Sequence, residues 1–257
     1  MKLLLRIAYL GTAYCGYQVQ TNGPTVQQKM NEAAMQTFGF PCDIVGCSRT
    51  DSGVHANEFC LTVAKKGESG IEFTIPVEKI PKVMNIHLPD DIAVLDASLV
   101  DEEFHPRYHV AYKEYIYQIW NGKTRNPFLA DRACYPQFPI SEDKIALMNE
   151  AAHRFVGKQD FAAYMAAGSK IKDTVRHVYY ADITSEGNMI TFRVAADGFL
   201  YNMVRIMVGT LLEVARGNIA PGDIDRIIQQ KDRRNAGATA PACGLYLNHV
   251  SYEEFKP

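Results

Sequence analysis

The sequence predicts a protein of the α+β class. Short stretches in which apolar and polar residues alternate recur along the chain, as in Lys2–Tyr9, and this period of two is typical of a half-buried strand. Stretches with apolar residues on one helical face lie between them, as after Thr25 and after Ser141. Each half of the chain therefore reads as strands interleaved with two helices, which indicates two layers rather than a parallel βαβ array.

Local signals predict the elements of the first half. Thr25 and Gln28 form a capping-box pattern at a helix start, and Gly39 ends that helix. A second helix over 77–87 is interrupted by Pro81, where we expect it to start afresh. Strands are predicted at about 2–9, 43–48, 58–64 and 92–95.

The second half begins with an unusually long strand, predicted over 108–120, whose aromatic residues fall on both faces of the sheet. Ser141 opens an amphipathic helix. The remaining predicted elements are two strands around a turn at 185–188, an apolar helix over about 201–216, a helix from Pro221 and a last strand over about 244–252. We expect the division between two domains to fall within 101–106.

Composition describes an ordinary globular protein, and its 257 residues suffice for one large domain or two of average size. Hydrophobic residues make up 47% and charged residues 22%, which argues against disorder. The formal net charge of −2 does not suggest a nucleic-acid binder. Any RNA site must therefore come from a local basic patch, with strong salt dependence.

The six cysteines are scattered without a Cys-x-x-Cys pair, so they indicate neither a zinc site nor a disulfide framework. They are Cys15, Cys42, Cys47, Cys60, Cys134 and Cys243. No signal peptide, bilayer-spanning run, phosphate-binding loop or dinucleotide fingerprint is recognisable. The expectation is a reduced cytoplasmic protein with no membrane association, no cofactor and no metal.

One polar segment stands out, because it places an acid between a basic residue and a glycine directly after the apolar run at 44–46. Such a break reads as a strand entering a loop, with Asp51 at the mouth of the sheet. An aspartate there can be a nucleophile, a general base, a metal ligand or a side chain that caps its own turn. The residues alone leave these alternatives open.

This segment, Arg49-Thr50-Asp51-Ser52-Gly53-Val54-His55-Ala56, resembles the Arg-Thr-Asp-Ala-Gly-Val-His-Ala signature of the TruA family of tRNA pseudouridine synthases. Five further segments are similar to family blocks and follow in the family's order: Gly11–Gln18, Leu88–Ile92, Phe104–Arg107, Met203–Arg205 and Ala240–Leu247. The resemblance thus covers essentially the whole chain.

The resemblance implies the pseudouridine synthase fold, in which two ferredoxin-like or RRM-like α/β subdomains join their sheets edge to edge around a central cleft. The N-terminal subdomain, 1–104, would carry the Asp51 loop, and the C-terminal subdomain, 105–257, would carry Tyr115 and Arg205. The implied reaction is isomerisation of uridine to pseudouridine in the anticodon stem-loop of tRNA, at tRNA positions 38, 39 and 40. The implied partners are tRNA and a second copy of the chain.

The resemblance assigns four site residues, and each has a structural alternative. Asp51 would be the nucleophile, and Arg205 would form an ion pair that keeps it ionised, although a buried arginine can equally pair with a core glutamate. Tyr115 would stack on the target uracil, or be one more aromatic of the sheet. Arg49 would help to displace the base, or pair with a phosphate or with Asp51 itself. His55 is expected to be structural.

The sequence departs from the family pattern at a few positions: Leu10, Ser48, Ser52, Pro106 and Glu114. Ser48 and Ser52 are small, so the loop should keep its geometry, whereas the acid Glu114 beside the RNA path puts local contacts in question. The candidate phosphate contacts are four basic clusters: Lys65 with Lys66, Lys123 with Arg125, Lys170 with Lys172 and Arg176, and Lys231 with Arg233 and Arg234.

Three other functions remain open at this point. The chain could be a catalytically silent tRNA-binding protein, a pseudouridine synthase for another RNA, or an aspartate-dependent hydrolase of a small nucleoside. A requirement for folded tRNA would exclude the hydrolase, and turnover would exclude the silent binder.

Overall fold

The computed structural model describes residues 1–169 and 171–255, so Lys170 lies outside the described residues. The chain divides into two compact units. Unit 1 comprises Met1–Ala111 and Tyr246–Glu253, and unit 2 comprises Tyr112–Leu245 and Glu254–Pro257. Each unit combines a sheet with helices, which confirms the α+β class. A division after residue 104 stays a prediction.

The sheet of unit 1 is built around one long central strand. The strands are β1 (Lys2–Tyr9), β2 (Cys42–Gly46), β3 (His55–Lys65) and β4 (Ile92–Val100). β1 lies antiparallel between β4 and β3, and β2 pairs antiparallel with the end of β3. The last strand, β9 (Leu245–Ser251), pairs parallel with the start of β3, next to the loop that carries Asp51.

Two helices complete unit 1: α1 (Val26–Phe38) and α2 (Ile80–Asn85). The predicted cap of α1 is confirmed, because the Gln28 backbone N–H donates to Thr25 Oγ1 at 3.3 Å. Gly39 ends α1 with a φ of 78°, a left-handed conformation that suits glycine. α2 starts next to Pro81, close to the predicted restart.

The sheet of unit 2 has the strand order β5-β8-β7-β6 and is antiparallel. Its strands are β5 (Tyr112–Trp120), β6 (Gly157–Asp160), β7 (Val175–Glu186) and β8 (Met189–Ala196). The helices are α3 (Glu142–His153), α4 (Met203–Arg216) and α5 (Asp223–Gln230). α4 is apolar nearly all round and most of its side chains are buried, as its sequence predicted.

Several strand bounds differ from the prediction, and β4 extends to Val100 rather than ending at about 95. β5 begins at Tyr112 rather than at 108, because the chain turns just before it, with the His109 N–H donating to the His105 carbonyl at 3.1 Å. β3 begins three residues early, at His55, where β9 pairs with it. β6 was not predicted. Among the helices described, none combines the length and apolar character needed to cross a membrane.

Candidate active site

Asp51 opens a tight turn that leads into β3. Its backbone carbonyl accepts a hydrogen bond from the Val54 N–H at 3.1 Å, and its side chain is half-buried. Gly53, the third residue of the turn, has a φ of 77°. A turn of this kind needs a left-handed residue at its third position, which glycine supplies without strain. The glycine of the signature therefore has a conformational role.

The segment Gly11–Gln18 holds this turn through backbone contacts. The Tyr17 N–H donates to the Thr50 carbonyl at 3.2 Å, and the Ser52 hydroxyl donates to the Tyr14 carbonyl at 3.1 Å. A Cβ on Gly11 would lie 2.0 Å from the Val54 carbonyl oxygen, so only glycine permits this approach. Ser52, a departure from the family pattern, thus adds a hydrogen bond to the loop.

Two side-chain hydrogen bonds anchor the same region, and sequence reasoning missed both. The hydroxyls of Tyr9 and Thr50 lie 2.7 Å apart in a buried setting. The Tyr14 hydroxyl donates to Asp91 at 2.6 Å, and burial together with this carboxylate raises the pKa of Tyr14. Asp91 lies in Leu88–Ile92, one of the segments that resemble a family block. This resemblance was the sequence signal that could have drawn attention to Asp91.

His55 is fully buried and serves the scaffold. Its Nδ1 accepts a hydrogen bond from the Gly11 N–H at 2.9 Å, so this nitrogen carries no proton. The ring lies against Tyr246, with the centroids 4.6 Å apart. His55 thus makes structural contacts, as expected from the sequence.

Arg49 is exposed on the loop before Asp51. Within the part of the chain that the structure describes, it makes neither a hydrogen bond nor an ion pair. Arg49 therefore forms no ion pair with Asp51 among the described residues. Its planar guanidinium is available to a ligand.

Arg205 lies in the first turn of α4 and is half-buried. Its Nε donates to the Ala240 carbonyl at 2.7 Å, and its Nη1 donates to Asn202 Oδ1 at 2.9 Å. Asn202 adopts a left-handed φ of 60°, which is uncommon for a residue other than glycine. These two bonds fix the orientation of the guanidinium, and neither Asn202 nor Ala240 was identified from the sequence.

The Ala240 segment reaches Arg205 because two glycines allow it to pack on α4. A Cβ on Gly209 would lie 1.6 Å from the Ala238 carbonyl oxygen, and a Cβ on Gly237 would lie 2.5 Å from the Gly209 backbone. The Gly237 N–H also donates to the Thr210 hydroxyl at 2.9 Å. Helix and segment are thus in direct backbone contact.

Tyr115 is buried on β5, with 7% of its surface exposed. Its ring meets Phe199 edge to face, with centroids 5.0 Å apart and planes at 84°. Tyr117 donates its hydroxyl to the Pro241 carbonyl at 2.7 Å, and Tyr112 packs against Phe255. Tyr117 and Tyr112 are thus aromatics of the sheet, as predicted. Asp51 and Arg49 belong to unit 1, and Tyr115 and Arg205 belong to unit 2.

Comparison with known proteins identifies the family. A family model described as tRNA pseudouridine synthase matches residues 6–109 and 151–253, which together are most of the chain. The chain belongs to the TruA family of tRNA pseudouridine synthases. It is 40% identical to tRNA pseudouridine synthase A of an Exiguobacterium species over 253 residues, covering 98% of each chain. It is 41% identical to the proteins of that name from Anoxybacillus flavithermus and Clostridium acetobutylicum, over 96% of this chain and 97% or 98% of theirs.

Membership of the TruA family makes the chain an isomerase of the pseudouridine-synthase type. Among the described residues, no group of three or more His, Cys, Asp or Glu side chains could hold a metal ion. Unit 1 offers the carboxylate of Asp51 and the guanidinium of Arg49, and unit 2 offers the guanidinium of Arg205 and the ring of Tyr115.

The departure of this synthase at Glu114 has a local explanation. Glu114 is buried, and Arg193 donates to it at 2.8 Å in an ion pair. The Tyr180 hydroxyl donates to the same carboxylate oxygen. Arg193 balances the charge of Glu114, so the acid is not presented to a polyanion as a bare charge.

The basic clusters of the synthase differ in how their charges are used. Lys231 pairs with Asp160 at 2.7 Å, and Arg234 pairs with Asp232 at 2.6 Å, which lowers the pKa of both acids. Lys65 pairs with Glu68. Lys123 and Arg125 are exposed and have no hydrogen bond or ion pair with any residue in the described ranges. The cations at 123–125 are therefore not balanced by an acid among the described residues. Lys172 and Arg176 form no ion pair there either, and Arg176 donates only to the carbonyls of Asp173 and Val175.

Proposed function

We propose that this TruA-family isomerase converts uridine to pseudouridine in the anticodon stem-loop of tRNA, with Asp51 as its nucleophile. The observation that carries the proposal is the signature acid itself, held in a turn by Tyr17, Ser52 and the Tyr9–Thr50 pair. A nucleophile acts best when its backbone is fixed before the substrate arrives. Relatives named tRNA pseudouridine synthase A support tRNA as the substrate.

The reaction needs no co-reactant. The N1–C1′ bond of uridine breaks, the uracil rotates, a C5–C1′ bond forms, the C5 proton is released and N1 gains a proton. Asp51 must be ionised to act, and an adjacent positive charge would favour that form. We assign this role to Arg205, by analogy with the family. Attack by Asp51 on C6 of the base and attack at the sugar are both compatible with this scheme.

Tyr115 and Arg49 are proposed to handle the target nucleotide. An aromatic ring offers a stacking surface to a base that has left its helix, and Phe199 holds the Tyr115 ring in one orientation. The exposed guanidinium of Arg49 can stack on bases or contact phosphate while the uridine is displaced. We further propose a cytoplasmic homodimer that binds tRNA and uses no cofactor or metal.

The first test is to incubate the protein and its Asp51→Asn variant with an unmodified tRNA transcript. Pseudouridine is mapped by carbodiimide adducts and primer-extension stops. We expect stops in the anticodon arm with the native protein, and product formation reduced by more than about a thousandfold in Asp51→Asn, because the amide is not a nucleophile. tRNA binding should persist. Asp96→Asn, which removes an exposed acid of β4, serves as the matched control.

Other results would select other functions. Residual product with Asp51→Asn would refute the assigned nucleophile. Binding of tRNA without stops from the native protein would indicate a silent binder or a synthase for another RNA, and total cellular RNA would then be tried. Competition by free uridine would favour a nucleoside hydrolase.

A further inference from the structure

Unit 2 contains a cavity of about 500 Å³ that none of the four assigned site residues lines. Its volume lies in the range of ordinary small-ligand pockets. The cavity extends from the end of β5 to the segment at 241–243, and its walls are largely apolar. The lining residues used below are Trp120, Arg125, Asn126, Tyr135 and Gln137.

Trp120 forms a rigid wall of this cavity. Its Nε1 donates to the Thr124 carbonyl at 2.8 Å. Gly122 lies so close that a Cβ on it would be 2.5 Å from the indole ring. The indole is therefore fixed by the protein, and Tyr135 provides a second aromatic side chain, 37% exposed.

The polar groups of the cavity suit a ligand with a hydrogen-bonding edge and a negative charge nearby. Arg125 and Gln137 are exposed, and neither is bonded to another described side chain or backbone group. Gln137 adopts a left-handed φ of 60°, a costly conformation that tends to occur at functional sites. The side-chain oxygen of Asn126 accepts a hydrogen bond from the Phe128 N–H. The side-chain nitrogen of Asn126 can therefore donate to a ligand. No acid is among the lining residues described.

We propose that this cavity binds an unpaired nucleobase of the tRNA other than the target uridine. A flat aromatic wall, a planar cation and side-chain amides are the groups by which proteins hold unpaired bases, through stacking and contacts to base edges. The proposal rests on the proposed function, because it takes tRNA to be the substrate.

The nucleotide in this cavity cannot be the one that stacks on Tyr115. Trp120 lies five residues further along β5, and at about 3.4 Å per residue the Cα atoms of the two residues are separated by roughly 17 Å along the strand. The cavity therefore adds a second point of attachment, which would fix the register of the RNA on this unit.

The unbalanced cations at 123–125 favour RNA over another occupant. Arg125 lines the cavity, and Lys123, two residues before it in the chain, is also exposed. The phosphates that flank a bound base would be attracted by both cations. A protein segment, including one from a second copy of this chain with its formal net charge of −2, would gain less from these cations than a polyanion.

Trp120 is the single tryptophan of the chain, so emission excited at the long-wavelength edge of tryptophan absorption, where tyrosine absorbs little, reports on this cavity. Unmodified tRNA is titrated into the full-length protein, with free tryptophan as the control for absorption by RNA. We expect saturable quenching and shielding of Trp120 from acrylamide. Arg125→Ala and Gln137→Ala should reduce the quenching and weaken tRNA binding, by about tenfold for Arg125→Ala. Arg226→Ala, an exposed arginine of α5, should behave as the native protein.

Two results would overturn the proposal. One is tRNA binding, measured by filter retention, that leaves the emission and the acrylamide accessibility of Trp120 unchanged. The other is emission that changes with protein concentration without RNA, in step with self-association, since a second copy would then fill the cavity. Failure of the proposed function is recognised separately, because quenching by tRNA without pseudouridine formation would leave this base site standing and remove the reaction.

Discussion

Thr50 is held at two of its atoms, one on the backbone and one on the side chain. Its carbonyl accepts from the Tyr17 N–H, and its hydroxyl is bonded to the Tyr9 hydroxyl. Because Thr50 directly precedes Asp51, any shift of Thr50 moves the carboxyl group. The Tyr9 hydroxyl therefore helps to position the proposed nucleophile through Thr50.

Tyr9→Phe should show this effect. The substitution leaves the buried Thr50 hydroxyl without this bond, and we expect unfolding to become easier by about 1 kcal/mol. Single-turnover conversion of tRNA should slow several-fold, while the dissociation constant for tRNA stays within about twofold. Denaturant unfolding and rapid-quench assays measure the two effects. Tyr108→Phe is the matched control, since Tyr108 is 76% exposed, and an equal loss of rate there would contradict the positioning role.

Residue-level prediction names candidates where the signal lies in a short segment, and it misses contacts between residues far apart in the chain. The signature segment names Asp51 and Arg49 as candidates, and both stay predictions. The bonds Tyr9–Thr50 and Tyr14–Asp91 join residues 41 and 77 positions apart, so no local pattern indicates them. Ala240, a hydrogen-bond partner of Arg205 that lies 35 positions away, was missed for the same reason. Asn202, the other partner, is only three positions from Arg205, but no sequence pattern marked it.

At the level of elements, α4 is distinguished by its contact with the segment at 236–240. Gly209 and Gly237 let two backbones meet, and this contact brings the Ala240 carbonyl to the Arg205 guanidinium. The helix thus does more than bury apolar side chains, because it also presents Arg205 in a fixed orientation.

Gly209→Ala is expected to disturb this contact. The added methyl would lie 1.6 Å from the Ala238 carbonyl oxygen, so the segment must move. Overpacking of this kind costs about 1–3 kcal/mol, and we expect a lower melting temperature and slower tRNA conversion. Gly222→Ala provides the control, because a Cβ there meets nothing within 4 Å. Equal stability of the two variants would argue against the contact.

Element prediction followed the strength of local signals. α1 was predicted to within a residue because Thr25 and Gly39 mark both its ends. β6 was missed because its four residues, Gly157–Asp160, show no apolar alternation, and the strand forms only because β7 offers its edge. β5 was predicted too long, since strand-forming residues before Tyr112 are used in a turn. Tertiary context, absent from the sequence pattern, decides such cases.

For the whole molecule, charge is the property that most needs explanation. A chain with a formal net charge of −2 must attract tRNA through a few local cations. Many of its cations already pair with acids, as Arg234 does with Asp232 and Lys231 with Asp160. Lys123 and Arg125 form no ion pair with a described residue and are therefore candidates, as are Lys172 and Arg176.

The salt dependence of tRNA binding can show which of these cations contact phosphate groups. Each lost phosphate contact lowers the slope of log affinity against log salt by about one, so Lys123→Ala with Arg125→Ala should lower it by about two. Arg234→Ala should change it far less, because Asp232 already neutralises that guanidinium. Fluorescence anisotropy over a salt series gives the slopes. A larger effect from Arg234→Ala would reverse the assignment.

The backbone contacts of the segment Gly11–Gln18 also limit how this chain can vary in length. Surface loops usually accept inserted residues. Here the loop is tied at several successive points, since the Cys15 N–H donates to the Pro24 carbonyl and the Gly16 and Tyr17 carbonyls accept from the start of α1. One added residue would move the Tyr17 N–H away from Thr50.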